Sequence, residues 1–407
     1  MKYPVSAIDL DSARLSMCDE TASLGSCTLP GDAMVEILLR LPVKSLLRFR
    51  AVSKSWYGFL SSPDFIQMHL RHGQQPLHEK LLRVSDRGPR DTPTISFFSV
   101  DRTVTVNADD DIDDGVDVYK NNNDLYPSSV VDLPFPSSPD DEVRIVGSCN
   151  GLLCVHFNRT SNIILWNPAT SKYRFLESPD NSVSFYCDPF FPYIILGFVP
   201  ETDDFKVVKV PSSSRKHNID AKVWVYTLSS DSWEEMGAVN LLPKGGSAVN
   251  LNGCLYWMSY NNSDNGRDIV TSFDLYKQVF GQIMVPNSES ITDFTVKKLV
   301  VLNGCLSMII YSENGLNVDH YEVWMMNEQQ GVSWTKRVDF SLFSKLARPV
   351  GSWRDSEILF GYPNGLSHEL LSYNPFTKRA QSFQRRSSVG GFKVINYVES
   401  LESVEGS

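Results

Sequence analysis

The chain has 407 residues, 42% of them hydrophobic and 21% charged, with a formal net charge of -10. That length accommodates one large domain plus a small one, and the composition is that of an ordinary globular protein. The acidic balance argues against a nucleic-acid binder, which needs a basic face, and no apolar run reaches the length of a membrane span. In chain order, residues 1–27 are polar and patternless and read as a disordered tail. They carry Asp9, Asp11 and Asp19 and no apolar stretch of the kind a secretory signal needs. Seven cysteines, an odd number scattered singly, read as reduced thiols, which places the expected location in the cytoplasm or nucleus.

Residues 28–72 read as a small three-helix unit. "LPGDAMVEILLRLP" opens with Pro30 and Asp32, a usable helix start, and sets Met34, Ile37, Leu38 and Leu41 at helical spacing before Pro42 ends the run. Val43, Leu46 and Leu47 repeat that spacing. Ser53 is placed to cap a further helix carrying Trp56, Phe59 and Leu60, and Ser62-Pro63 restarts the chain at "PDFIQMHL". Such a short unit carries more large apolar side chains than it can bury by itself.

From residue 77 to about 385 the period changes to strands: "PTISFFSV", "GLLCVHF", "NIILW", "FKVVKV", "AKVWVYTL", "EILFGY". The pentapeptide LNGCL occurs at Leu251 and again at Leu302, and "CNGLLCVHF" begins at Cys149 about two such periods earlier. Each Asn-Gly is a hairpin-type turn, because both residues tolerate positive φ. Modules also close on a strand, a turn and an aromatic or apolar residue, as in "LWNPATSKYRF" (165–175) and "LSYNPFTKRAQSF" (371–383), whose Asn-Pro-x-Thr turns are near copies. Units of four strands cannot bury both faces alone and stack radially. The expected fold class is therefore mainly β, a kelch-like β-propeller of about six blades after the helices, with residues 386–407 as a final strand or tail. The acidic insert "NADDDIDDGVDVYKNNND" (107–124) reads as a mobile loop.

Chemistry is sparse. With Gly115 as the glycine of a calcium loop, the third position falls on Ile112 and the twelfth on Asn121, so the acidic insert reads as solvated. Cys149 and Cys154 lie an odd number of residues apart, on opposite faces of a strand, with no second pair to complete a zinc site. No nucleophile elbow, phosphate loop, zincin or dinucleotide motif is present. No catalytic residue, metal or cofactor is assigned. A propeller can assemble a site from distant loops, so a propeller enzyme with a helical appendage is the alternative of another class. Trp166, Trp224, Trp233, Trp257, Trp324 and Trp334 read as packing between blades. "SFYCDPFFPY" reads as buried or, if exposed, as a binding patch, with Phe185, Tyr186, Phe190, Phe191 and Tyr193 as its candidate target contacts.

Residues 29–70 resemble a plant F-box: Leu29-Pro30, Asp32, Ile37-Leu38, Arg40-Leu41-Pro42, Val43-Lys44-Ser45-Leu46 and Val52-Ser53-Lys54-Ser55-Trp56 follow the family pattern in order and without gaps. Ala33 departs from it, standing where a larger aliphatic is usual. "GSCNGLLC" (147–154), "LWNPATSKYRFL" (165–176), "ILGFVPETDDFKVVKV" (195–210) and "VWVYTLSSDSWEEM" (223–236) resemble the kelch-like F-box-associated domain of the same plant family. The resemblance implies the substrate receptor of an SCF-type cullin–RING ubiquitin ligase, not an enzyme in its own right. It would bind a Skp-type adaptor and through it the cullin and RING subunits, and present a target protein on the propeller. The implied adaptor contacts are Leu29, Pro30, Ile37, Leu38, Leu41, Pro42, Leu46 and Val52, with Trp56 holding the helices together. A self-incompatibility receptor for ribonucleases, of the S-locus F-box kind, shares this architecture and is the second version of that reading.

Overall fold

The computed structural model describes residues 31–73, 80–85, 94–99, 117–121, 129–135, 143–157, 160–179, 193–210, 222–238, 241–244, 248–261, 267–288, 295–314, 317–327, 332–342, 344–354, 356–364, 367–383 and 394–405. Four helices come first: α1 (Gly31–Leu39), α2 (Val43–Phe49), α3 (Lys54–Leu60) and α4 (Pro63–Gly73). Pro42 stands in extended backbone immediately before α2, so a residue without an N–H separates α1 from α2. The Ser53 hydroxyl caps α3, accepting from the Trp56 amide at 3.2 Å.

The unit has four helices where three were expected, and Ser62-Pro63 is the reason. Ser62 Oγ donates to the Phe59 carbonyl at 2.7 Å and accepts from the Phe65 amide at 3.3 Å. It therefore closes one helix and opens the next, with Pro63 as the first helical residue of α4.

The strands follow in six sheets, taken here as blades I to VI. Blade I contains β1 (Lys80–Ser85), β2 (Thr94–Ser99) and β4 (Ser129–Asp132), while β3 (Asp117–Asn121) leaves it to pair elsewhere. Blade II is β5 (Val143–Cys149), β6 (Leu152–Phe157), β7 (Ile163–Asn167) and β8 (Lys172–Leu176). Blade III is β9 (Tyr193–Val199), β10 (Asp204–Val210), β11 (Lys222–Thr227) and β12 (Ser232–Ala238). Blade IV is β13 (Leu241–Pro243), β14 (Val249–Leu251), β15 (Cys254–Asn261), β16 (Arg267–Asp274) and β17 (Val279–Met284). Blade V is β18 (Thr295–Leu302), β19 (Cys305–Asn314), β20 (Asn317–Asn327) and β21 (Ser333–Phe340). Blade VI is β22 (Arg348–Trp353), β23 (Glu357–Asn364), β24 (Ser367–Asn374) and β25 (Arg379–Phe383). Last comes β26 (Val394–Tyr397), which pairs antiparallel with β1 and so completes blade I from the other end of the chain.

The innermost strands β26, β5, β9, β14, β18 and β22 lie side by side in a closed ring. Between successive blades run apolar clusters: Trp166, Phe135 and Tyr397 between I and II, Leu165, Leu196 and Tyr226 between II and III, Trp257, Val208 and Phe273 between III and IV. Met308 and Tyr256 lie between IV and V, and Tyr321, Phe360 and Tyr373 between V and VI. The last gap is bridged by Asn396, whose side-chain amide donates to the Ser352 carbonyl at 3.1 Å. Because both faces of a blade are covered, β10 is buried at every position, polar residues included.

Part of the acidic insert departs from the loop expected there. Asp117–Asn121 is a strand that pairs in parallel with β25, Asp117 opposite Arg379, and adds a fifth strand to the outer edge of blade VI. The rest of 107–124 lies outside the described residues.

Candidate partner-binding surfaces

Antiparallel strand order sorts the connections onto two ends of the propeller. The turns after the innermost strands include Asn150-Gly151, Asn252-Gly253 and Asn303-Gly304, with both residues of each pair at positive φ, as hairpin chemistry requires. The turns before the outermost strands, with Ser171, Asp231, Gln278 and Lys378 at positive φ, lie at the same end. These turns are short and regular. Of the longer connections, 177–192 between β8 and β9 and 211–221 between β10 and β11 leave and return at the opposite end, whereas 100–128 between β2 and β4 leaves and returns at the short-turn end.

The helical unit sits on the short-turn end. Its core consists of Val35, Leu38, Val43, Leu46, Phe59, Leu60 and Phe65, joined by Leu401 from beyond β26, with Ala169 of the β7–β8 turn packed against it. Gln67 of α4 donates through its side-chain amide to Asp203 Oδ1 at 2.8 Å, in the β9–β10 turn, and to Glu402 Oε1 at 3.4 Å. Helices that begin the chain and a segment that ends it therefore meet the same face of the propeller.

The structure divides the sequence-derived adaptor residues into two groups. Ile37 is 49% exposed and Val52 65%, and Pro42 is also exposed. Leu38 and Leu46, by contrast, are 2% and 0% exposed inside the unit's own core, which leaves them no surface to offer a partner. Leu41 is half-buried on the edge of that core, and its carbonyl oxygen lies 3.0 Å from the His69 ring nitrogen. Leu29 and Pro30 lie outside the described residues. Trp56 packs edge-on against Phe49, ring centres 5.5 Å apart, and so ties α3 to α2. Sequence reasoning passed over Tyr57, a 60% exposed aromatic on α3. Its signal was its position two residues before the buried Phe59, which puts it on the other side of the helix. Arg40, Lys44, Arg48 and Lys54 are all exposed, so these cations form a solvated surface. Arg50 instead turns inward and donates to the Leu60 carbonyl at 2.8 Å, with burial lowering its pKa.

Of the candidate target-contacting aromatics, Phe185, Tyr186, Phe190 and Phe191 lie outside the described residues. Tyr193 opens β9 and packs half-buried against the cluster between blades III and IV, and burial raises its pKa. It is a wall residue at the root of the β8–β9 connection, on the end of the propeller away from the helices.

Charged side chains inside the ring serve the joints between blades. Lys297 of blade V and Lys244 both bind Asp268 of blade IV, at 2.7 and 2.5 Å, and hold its carboxyl below the usual range against the effect of burial. Lys298 donates to the Pro349 and Val350 carbonyls of blade VI, both at 2.9 Å, and burial pushes its pKa down to about 8. Lys206 of blade III reaches the Leu275 carbonyl of blade IV at 2.9 Å. Lys206, Lys297 and Lys298 each span a blade boundary with the charge satisfied by oxygen atoms, which is the arrangement a buried cation needs. Lys244 reaches Asp268 from within blade IV. Among the described residues no group of three or more His, Cys, Asp or Glu side chains is placed to hold a metal ion.

Four helices docked on the turn end of a ring of sheets define a two-part binding protein, one part helical and one a propeller. Residues 105–359 match the F-box associated beta propeller domain and residues 27–68 the F-box domain, and the chain belongs to the F-box-associated propeller family. It is similar to an F-box/kelch-repeat protein of Arabidopsis thaliana, 28% identical over 350 residues that span 83% of this chain and 86% of the relative. F-box protein CPR1 of the same plant is 26% identical over 335 residues, which cover 76% of this chain and 72% of the relative. The closed ring extends past the matched propeller range on both sides, since β1 begins at Lys80 and β26 ends at Tyr397.

Proposed function

We propose that the protein is a non-catalytic substrate receptor of an SCF-type cullin–RING ubiquitin ligase, its helices binding a Skp-type adaptor and its propeller a target protein. The observation that carries the reading is the free apolar surface of the F-box. Ile37, Pro42, Val52 and Tyr57 stay exposed on a helical unit whose interior is already filled. Side chains of that kind, in a unit with a closed core, are what an obligate partner covers. The propeller supports the second half of the reading. Its regular hairpin turns lie toward the helices, and β8 and β10 run out at the far end, away from the adaptor-facing unit. The protein would then act by holding a target lysine near a charged E2, a gain from proximity that asks no chemistry of its own residues.

The test is co-purification with a Skp-type adaptor, comparing the native chain with Ile37→Asp combined with Val52→Asp. Both positions are exposed, so the helices keep their circular dichroism and the complex is lost. Undiminished adaptor binding by the double variant, with its helical signal intact, sinks the reading.

A further inference from the structure

The two copies of the Asn-Pro-x-Thr turn do different work. In blade II, Asn167 Oδ1 accepts from the Ala169 and Thr170 amides at 3.0 and 3.4 Å. In blade VI, Asn374 Oδ1 accepts from the Phe376 and Thr377 amides, both at 3.0 Å. Asp274 of blade IV makes the same two bonds to Tyr276 and Lys277, so a carboxylate serves this turn equally well. The amide end separates them. Asn374 Nδ2 donates to Ser356 Oγ within its own blade. Asn167 is fully buried and donates instead to two carbonyl oxygens of the C-terminal segment, Ser400 at 3.1 Å and Glu402 at 2.8 Å.

That segment is held from both sides. Ser400 is fully buried over Gly151, where a Cβ would collide with the serine hydroxyl and would come within 2.9 Å of the Val398 carbonyl. Val398 also lies against Gly73 at the end of α4. Leu401, 3% exposed, enters the helical core, and Glu402 meets Gln67 of α4. Lys172 of blade II pairs with Glu405 at 3.0 Å. Residues 398–405 thus touch the helices on one side and the blade II turns on the other.

We propose that residues 398–405 are a brace fixing the F-box helices at one orientation to the propeller, with Asn167 as its grip on the propeller side. The brace deepens the receptor reading, because a ligase receptor must present its target at a set distance from the adaptor. Its geometry is testable without that reading. Asn167→Asp keeps the turn, as Asp274 shows, but removes both donors and sets a carboxylate against two carbonyl oxygens. Asn374→Asp is the matched control. Dye pairs placed by non-canonical amino acids at Lys54 and Lys378, both exposed, report the distance between helices and propeller by single-molecule energy transfer.

The native chain and Asn374→Asp give one narrow distance, and Asn167→Asp loses it for a broad distribution while the propeller melts at an unchanged temperature. A narrow distance retained in Asn167→Asp overturns the brace. If Asn167→Asp unfolds blade II, the same measurement on Gln67→Ala with Leu401→Ala, which alters no blade, decides by the same two outcomes. Loss of adaptor binding in the native chain would overturn the receptor reading and leave these distances where they are.

Discussion

The helices and the propeller bury apolar surface in different ways. Each blade shares its interior with two neighbours: Trp257 of blade IV belongs to the cluster it makes with blade III, and Met308 of blade V to the cluster it makes with blade IV. No blade owns a core, and the ring closes only when β26 returns to β1. The helical unit owns its core, but the core is small, with Leu401 entering it from beyond β26 and Ala169 packed at its edge. Stability is therefore spread around the propeller and concentrated in the F-box, and a substitution should travel further in the first than in the second.

The largest expected effect is on the concentrated side. Phe65 is fully buried, its ring tilted against Phe59 at 5.0 Å and stacked on the His69 ring at 6.2 Å. Phe65→Ala should cost about 3–5 kcal/mol, a large share of what so small a unit possesses. Hydrogen exchange should show α1–α4 losing protection while the strands of blades III to V keep theirs. If those strands lose protection equally, the two regions unfold as one body and the contrast fails.

A somewhat smaller effect is expected from Asp268→Asn between blades IV and V. Lys297, whose side chain is 7% exposed, would be left buried with the counter-charge of Asp268 removed, at a cost of about 3 kcal/mol. Because the ring shares its cores, the loss should lower the melting temperature of the whole propeller in one transition. A separate early transition confined to blades IV and V would show that the blades are more independent than their packing implies. The exchange of the helices should not change in either case.

Local features of both regions were legible in the sequence. Pro42, Ser53 and the Asn-Gly turns act on their own neighbours, through a missing N–H, a cap and positive φ, and each does in the structure what its chemistry dictates. The fold class followed from the repeat of those turns. Distinctions that depend on distant residues were not legible. Helical spacing puts Ile37, Leu38 and Leu41 on a common side, but Leu38 is buried and Ile37 free because of where α4 and Leu401 come to lie. Lys297 and Lys298 look like polar interruptions of a strand until their partners arrive from blades IV and VI. Asn167 looked like a turn residue and nothing more, because its second partner is 233 positions away. The strand at Asp117–Asn121 was hidden for the same reason, since its pairing partner is β25.

The effect that reaches the fewest residues falls where the two regions meet, and its sign is set by burial. Glu402 is half-buried beside Asp203, and burial first, with that neighbouring carboxylate second, pushes its pKa from an ordinary 4.5 up to about 7. Around it stand Gln67 from α4, Asp203 from the β9–β10 turn and the Cys149 thiol at the end of β5, which burial keeps protonated by raising its pKa to about 12. No cation is among these groups to favour the carboxylate. Asp203 is itself raised, again by burial first, so the pair resists carrying two charges. The docked segment therefore holds a proton that the released segment gives up at ordinary carboxylate pH. Its contribution is complete below about pH 4.5 and is lost as pH rises through about 7, with a slope of at most about 1.4 kcal/mol per pH unit for one proton. Hydrogen exchange of residues 398–405 should accordingly quicken between pH 5 and 7.5 beyond the intrinsic rate, while β26, one residue upstream, should not. Glu402→Gln keeps the shape without the titration and should flatten that dependence. A dependence that persists in Glu402→Gln would assign it to Asp203 and move the pH-sensitive contact from the brace to the β9–β10 turn.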